Sequence, residues 1–216
     1  MLRRIVDICF AVAALTLLAP LLVFIAIAIR IDSPGNPIYG GWRVGKGGKR
    51  FRMWKFRSMV TNADQVGPGI TARRDSRVTR LGKTLRNTKL DELPQFVNLL
   101  TGDLTLIGPR AEVPDIVEKY SAEQRRVLDF MPGVTGVGAI AYTETHFQQI
   151  PDDVPADLYY IANLLDDKLR MEIEYEKCRS LSTDLGVTYR SVRLILRSIL
   201  GLSGQPAGRD RPQPRR

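Results

Sequence analysis

Between Ile5 and Ile29 the chain is apolar except for Asp7, Thr16 and the helix breaker Pro20. About 20 apolar residues suffice to cross a bilayer, so this run predicts a membrane-embedded helix. It is too long for a signal peptide and no small-residue cleavage site follows it. Its flanks set a topological problem. Arg3 and Arg4 precede the run, and Arg30, Arg43, Lys46, Lys49, Arg50 and Arg52 follow it. Positive charge beside a membrane segment favours the cytoplasmic side, yet a straight span places one cluster outside. A re-entrant helix that enters and leaves by one face removes the conflict. Pro20 is a candidate bend: it deprives the Thr16 carbonyl of its helical donor, and the Thr16 hydroxyl helps to satisfy the broken backbone. Each arm would be too short to cross about 30 Å of hydrocarbon. The residues alone describe a spanning helix with a tolerated proline equally well.

The remaining length suits one domain of ordinary size with its own core. A net charge of +9 and a sequence pI near 9.8 imply an anionic partner: nucleic acid, anionic lipid headgroups or a nucleotide diphosphate. Nucleic acid is disfavoured, because residues 60–95 hold most of the central basic run and no Phe, Tyr or Trp on which bases would stack. Cys9 and Cys178 lie in an apolar and a charged stretch, and are expected to be free thiols facing a reducing cytosol.

Along the chain, Ser33 to Gly48 reads as a loop punctuated by Gly and Pro, with Trp42, Lys46, Lys49 and Arg50 suited to a membrane interface. Phe51 to Met59 reads as a short strand that would place Lys55 and Arg57 on one face, able to meet the same anion. Asn62 to Ile70 reads as a mobile loop, leading into Arg73, Arg74, Arg77 and Arg80. Val78, Leu81 and Leu85 have helical spacing, which puts Arg80, Lys83 and Arg86 off the buried stripe.

Leu90-Asp91-Glu92-Leu93-Pro94-Gln95 then reads as a helix start, with Asp91 as N-cap and Pro94 tolerated in the first turn. Cations bracket the two carboxylates: Arg86 and Lys89 before, Arg110 after the Gly102 turn and the Gly108-Pro109 break. An acid pair among arginines is what phosphoryl transfer needs: a nucleophile or metal ligand, and charge to hold a diphosphate. A capped helix with a solvated charged face fits the same spacing.

The segment from Thr79 to Leu100, continued by Gly102-Asp103-Leu104-Thr105-Leu106-Ile107-Gly108-Pro109-Arg110, closely resembles the bacterial sugar transferases, the monotopic phosphoglycosyl transferases of polyprenyl-phosphate-linked glycan assembly. Lys55-Phe56-Arg57-Ser58-Met59 and Pro132-Gly133-Val134-Thr135-Gly136 resemble two further motifs of that family, in the same order. The resemblance implies transfer of a phosphosugar from a UDP-sugar to polyprenyl (undecaprenyl) phosphate, with release of UMP. It implies Asp91 as nucleophile in a covalent intermediate and Glu92 as the ligand of Mg²⁺. It also implies Arg86 and Arg110 on phosphate oxygens, with Lys55 and Arg57 assisting. It favours the re-entrant anchor, although Ala19 stands where relatives often carry Ser. Gly138 to His146 departs from the family pattern and lacks an arginine found there. His146, the only histidine, has no visible partner and is given no role. Lys168, Glu172 and Tyr175 match a family Lys…Asp…Tyr pattern with Glu for Asp.

Ser121 and Gln124 have capping-box spacing. From Asp184 to Leu202, Val192, Ile195, Leu196 and Ile199 oppose Arg190, Arg193 and Arg197, the pattern of an interfacial amphipathic helix. The expected architecture is α+β and mainly helical. A re-entrant membrane helix (1–31) precedes a cytosolic catalytic domain with a small β element and interfacial helices (32–202) and a disordered basic tail (203–216). The expected location is the bacterial inner membrane, facing the cytoplasm. Two rival readings stand beside it: a non-catalytic basic protein binding membrane or nucleic acid, and a transferase acting by direct displacement. The sequence leaves the sugar and any homo-oligomer open.

Overall fold

A computed structural model describes residues 2–63, 75–145 and 154–200, with the side chains of residues 142–145 excepted. Arg73, Arg74, His146, the tail and most of the expected loop after Asn62 lie outside the described residues. Among the described residues the architecture is mainly helical with two small sheets, an α+β arrangement.

Helix α1 (Leu2–Asp32) runs without interruption through Pro20. At 1.5 Å per residue its 31 residues span about 46 Å. Most of its apolar surface is exposed, with Leu17 at 80% and Phe24 at 69%. The remainder is held by the globular domain at both ends. Near the start, Arg4 donates through Nη1 to the Leu99 carbonyl (2.6 Å) and through Nη2 to the Leu100 carbonyl (2.7 Å). Buried Asp7 accepts from Thr105 Oγ1 (2.8 Å) and from the Leu106 amide (3.0 Å). Phe10 meets Phe96 edge-on. Near the other end, Ile25 and Ile29 join Phe56 and Leu85 in one apolar cluster.

A hairpin follows: β1 (Ile38–Val44) pairs antiparallel with β2 (Arg50–Phe56), Tyr39 opposite Lys55 and Arg43 opposite Phe51. The expected loop over 33–48 is therefore a strand for much of its length. Gly40 and Gly41 are tolerated within it because cross-strand packing replaces what their side chains lack; the Trp54 ring occupies the space beside Gly40. β2 ends at Phe56, three residues short of the expected Met59, so Arg57 falls just outside it.

Helix α2 (Arg80–Thr88) begins at a Thr79 cap and buries Leu85, with Leu81 beside it. Arg80 and Lys83 point outward as the spacing predicts. Helix α3 (Gln95–Thr101) ends at Gly102, whose φ of 91° closes the turn. Its Asn98 reaches across to β2, donating to the Arg52 carbonyl (2.7 Å) and accepting from the Trp54 amide (2.9 Å). Strand β3 (Thr105–Ile107) pairs parallel with β4 (Gly133–Thr135), with the short α4 (Pro114–Val117) between them in sequence. Ser121 and Gln124 form the expected reciprocal pair, at the start of a 3₁₀ turn.

Helices α5 (Val137–Thr145), α6 (Ala156–Asn163) and α7 (Leu165–Lys177) complete the core. Its largest cluster joins Val44, Ile116, Val117, Tyr120, Val127, Tyr160 and Leu169. Helix α8 (Leu181–Ile199) starts at a Ser180–Thr183 capping box, three residues before the expected start. It turns Val187 and Leu194 to the core, while Leu181, Leu185, Tyr189, Val192 and Leu196 stay exposed. Cys9 and Cys178 are unpaired.

Candidate active site

Lys89 takes the left-handed conformation, φ 61°, and closes α2. Leu90–Glu92 then forms a single 3₁₀ turn, and α3 starts only at Gln95, with Pro94 at its N-cap position. Asp91 is therefore not a helix cap, contrary to the sequence expectation. The tighter turn directs its side chain inward, where it is 7% exposed, instead of onto free amides of a following helix.

Glu92 is the hub. Its Oε1 accepts from Lys55 Nζ at 2.8 Å and from Arg110 Nη2 in a short ion pair, and Arg110 Nη1 approaches Oε2 at 3.4 Å. Burial alone would raise the Glu92 carboxyl, but Arg110 and Lys55 outweigh it and hold Glu92 well below the carboxylate range. Asp91 moves the opposite way. Burial raises it, the adjacent Glu92 charge adds to that, and Lys55, Lys89 and Arg86 only partly oppose it. Burial lowers the Lys55 ammonium, with Glu92 restoring part of the loss. The two neighbouring carboxylates are thus driven apart, Glu92 made more acidic and Asp91 less so, a separation that commonly accompanies different chemical roles.

Arg110 arrives through a close backbone crossing. Gly108, Gly133 and Gly136 pack backbone to backbone, and a Cβ on any of them would overlap the facing chain. The two glycine motifs of the sequence therefore fix the segment that carries Arg110. Glu172 secures it further: 1% exposed, it accepts from the Arg110 amide through Oε1 at 3.1 Å, while its Oε2 is buried without a hydrogen bond among the described residues. Burial pushes the Glu172 carboxyl up to about 7 despite nearby Lys168.

Lys55, Asp91, Glu92 and Arg110 are thus brought together, and half-buried Arg86 acts on Asp91 through its field. Arg57 is not. Its guanidinium turns back to the loop after α1, donating to the Ser33 and Pro34 carbonyls at 2.6 and 2.8 Å. Leaving the strand after Phe56 breaks the alternation that would have aligned it with Lys55. Sequence reasoning missed Glu112, whose Oε1 accepts from Lys168 Nζ and Tyr160 Oη, both at 2.5 Å. It also missed Arg43, which faces the same cleft and senses both Glu112 and Glu92. Glu112 carried no signal beyond its place two residues after Arg110, and Arg43 was absorbed into the count of flanking charges.

The family model for bacterial sugar transferases matches residues 1–198. The chain belongs to that family. Among curated relatives of this sugar transferase chain, one from Aeromonas hydrophila is named UDP-N-acetylgalactosamine-undecaprenyl-phosphate N-acetylgalactosaminephosphotransferase. It is 35% identical over 90% of this chain and 44% of its own length. Another from Escherichia coli, a UDP-glucose:undecaprenyl-phosphate glucose-1-phosphate transferase, is 39% identical over 74% of this chain and 36% of its own length. The exopolysaccharide production protein PSS of Rhizobium leguminosarum is 36% identical over 75% of this chain and 86% of its own length. The chain thus spans less than half of the first two relatives and most of the third.

Proposed function

We propose that this sugar transferase-family chain moves a phosphosugar from a UDP-sugar to undecaprenyl phosphate and releases UMP. The observation that carries the reading is the pair of adjacent buried carboxylates, Asp91 and Glu92, with Lys55 and Arg110 converging on the second. A binding protein has no use for two adjacent buried carboxylates whose proton affinities are shifted in opposite directions.

In the proposed first step an Asp91 carboxylate oxygen attacks the phosphorus bearing the sugar. The bond from that phosphorus to the UMP oxygen breaks, and UMP leaves with the electron pair. In the second step an oxygen of undecaprenyl phosphate attacks the same phosphorus, releases the Asp91 carboxylate and yields the lipid-diphosphate sugar. Burial strips water from Asp91, which favours nucleophilic attack over solvation of the carboxylate. Arg110, Lys55 and Arg86 would hold phosphate oxygens and stabilise charge as it moves to the leaving group.

Glu92 fits a place in a Mg²⁺ shell, since among the described residues its Oε2 has only the long Arg110 contact. Mg²⁺ characteristically takes one or two carboxylates and completes its shell with substrate phosphates and water. Bound there, it would neutralise charge on the diphosphate.

The proposed location is the bacterial inner membrane, with the catalytic domain on the cytoplasmic face and α1 re-entrant. Both ends of α1 contact the same domain, through Arg4 and Asp7 at one and Ile25 and Ile29 at the other. A domain confined to one side of about 30 Å of hydrocarbon does not reach both ends of a helix that crosses it. The exposed apolar stripe of α8 would lie in the interface beside its arginines.

The test is UMP release by purified protein with Mg²⁺, a panel of UDP-sugars and undecaprenyl phosphate, against Asp91→Asn. Release by wild type alone supports the assignment and names the sugar. One UMP per enzyme before acceptor is added supports the covalent route, whereas no release before acceptor favours direct displacement. Equal turnover by Asp91→Asn sinks the site assignment.

A further inference from the structure

The β1–β2 hairpin has two unlike faces. One carries Phe51, Met53 and Lys55 and looks to the core and the cleft: Phe51 and Met53 pack with Leu104 and Ala111, and Lys55 meets Glu92. The other carries Ile38, Gly40 and Trp42, opposite Phe56, Trp54 and Arg52. At its base Phe56 is buried with Ile25 and Ile29 of α1, and Ile38 packs against them. Further along, Trp54 and Trp42 are 36% and 48% exposed. The face that starts on the membrane helix therefore ends in two solvent-facing indole rings.

Neighbouring groups hold these rings in place. The Arg52 guanidinium lies 4.2 Å over the Trp42 ring, and its Nη1 donates to the Gly40 carbonyl at 2.6 Å. The Trp54 ring lies across Gly40, 2.6 Å from where a Cβ would sit, so a side chain at 40 would displace it. The Trp54 amide donates to Asn98 of α3, and α3 seats the start of α1 through Phe96 and the Leu99 and Leu100 carbonyls. The charge beside the rings is positive. Lys46 and Lys49 at the hairpin tip and Arg52 on its face are exposed and form no ion pair among the described residues.

We infer that the Trp42–Arg52–Trp54 face of the hairpin is a membrane contact of its own, seated at the headgroup level of the bilayer that holds α1. Indole rings, apolar with one wet N–H edge, favour that level, and the cations beside them meet lipid phosphates. The nucleotide donor is not the occupant, because Lys55 and Glu92 lie on the opposite face of the hairpin. The contact sets the height of the cleft. Lys55 directly follows Trp54 in β2, so fixing the rings among headgroups holds the cleft at the level of a lipid-linked phosphate. The inference rests on the proposed membrane placement of α1, and its test reads the two separately.

Trp42 and Trp54 are the only tryptophans of the chain, so indole emission reports on this face alone. Full-length wild type, Trp42→Phe and Trp54→Phe are placed in phosphatidylcholine–phosphatidylglycerol vesicles. The lipids are brominated either near the headgroup or near the chain end, and flotation with the vesicles is checked first. Both single-tryptophan proteins should lose emission to the bromine, more to that near the headgroup, while iodide in the water has little effect. Arg52→Glu should lessen the loss without preventing flotation, because α1 still anchors the chain. A floating protein whose emission neither lipid quenches overturns the contact, whether iodide reaches the rings or a second copy covers them. Stronger quenching from the chain end, or quenching of one ring alone, also overturns it. Should a variant not fold, wild type, in which both rings report together, decides between quenching and none. Failure to float would sink the membrane placement of α1 and this contact with it.

Discussion

Asp7, in the second turn of the membrane helix, accepts a 2.8 Å hydrogen bond from Thr105, which begins the strand leading to Gly108 and Arg110. With Arg4 on the last carbonyls of α3, it makes the start of the anchor part of the site's scaffold. Asp7→Ala would leave the Thr105 hydroxyl and the Leu106 amide without their acceptor, at a cost of about 1–3 kcal/mol. Thermal unfolding in detergent should show a lower midpoint, with Asp7→Asn milder because it keeps an acceptor oxygen.

The same contacts predict where the helix ends lie. In a cysteine-free background, single cysteines replacing Arg3 and Asp32 should both resist a membrane-impermeant maleimide in intact cells. Both should react in inverted vesicles. Labelling of one alone in intact cells would establish a spanning helix.

Glu92 neutralises two partly buried cations at once. Glu92→Gln should abolish turnover and also destabilise the fold by about 3 kcal/mol, because Lys55 and Arg110 keep their charge without an anion. Lys55→Met removes one cation and leaves the Arg110 pair intact. It should fold well and lose about 10²-fold or more in kcat, a loss typical for one transition-state electrostatic contact.

Glu172 should give the protein an unusual pH response. Its carboxyl titrates at about 7 when folded, above the ordinary value of 4.5. Between these two values the native state therefore holds a proton that the unfolded chain has released. The stability this proton contributes is fully present below the ordinary value and is lost as pH rises through the folded one. It amounts to about 3 kcal/mol, since a tenfold change in proton affinity corresponds to about 1.4 kcal/mol. Glu172→Gln keeps an acceptor for the Arg110 amide and removes the titration. Its unfolding midpoint should fall less than that of wild type between about pH 5 and about pH 8.

Gly82 packs against the Ser58 backbone so closely that a Cβ would overlap the carbonyl. Gly82→Ala should therefore destabilise by about 1–3 kcal/mol, whereas at an exposed helix position the same change would stabilise by about 0.5–1 kcal/mol. Urea unfolding of the detergent-solubilised protein checks the sign.

The apolar anchor, the α2 stripe through Leu81 and Leu85, the Gly102 turn and the Ser121–Gln124 pair were legible because each depends on residues close in sequence. Residue type and motif also singled out Asp91, Glu92, Lys55 and Arg110, which the fold brings together. Their arrangement was not legible. That Asp91 sits inside a 3₁₀ turn, that Arg57 turns back to Ser33, and that Arg43 faces the cleft depend on where β2 ends and how β1 pairs with it. Glu172 reaches Arg110 across 62 residues, and Asp7 reaches Thr105 across 98. Local periodicity and capping fix which segments form. The partners of a buried charge, and hence its protonation, are decided only when distant segments exclude water around it.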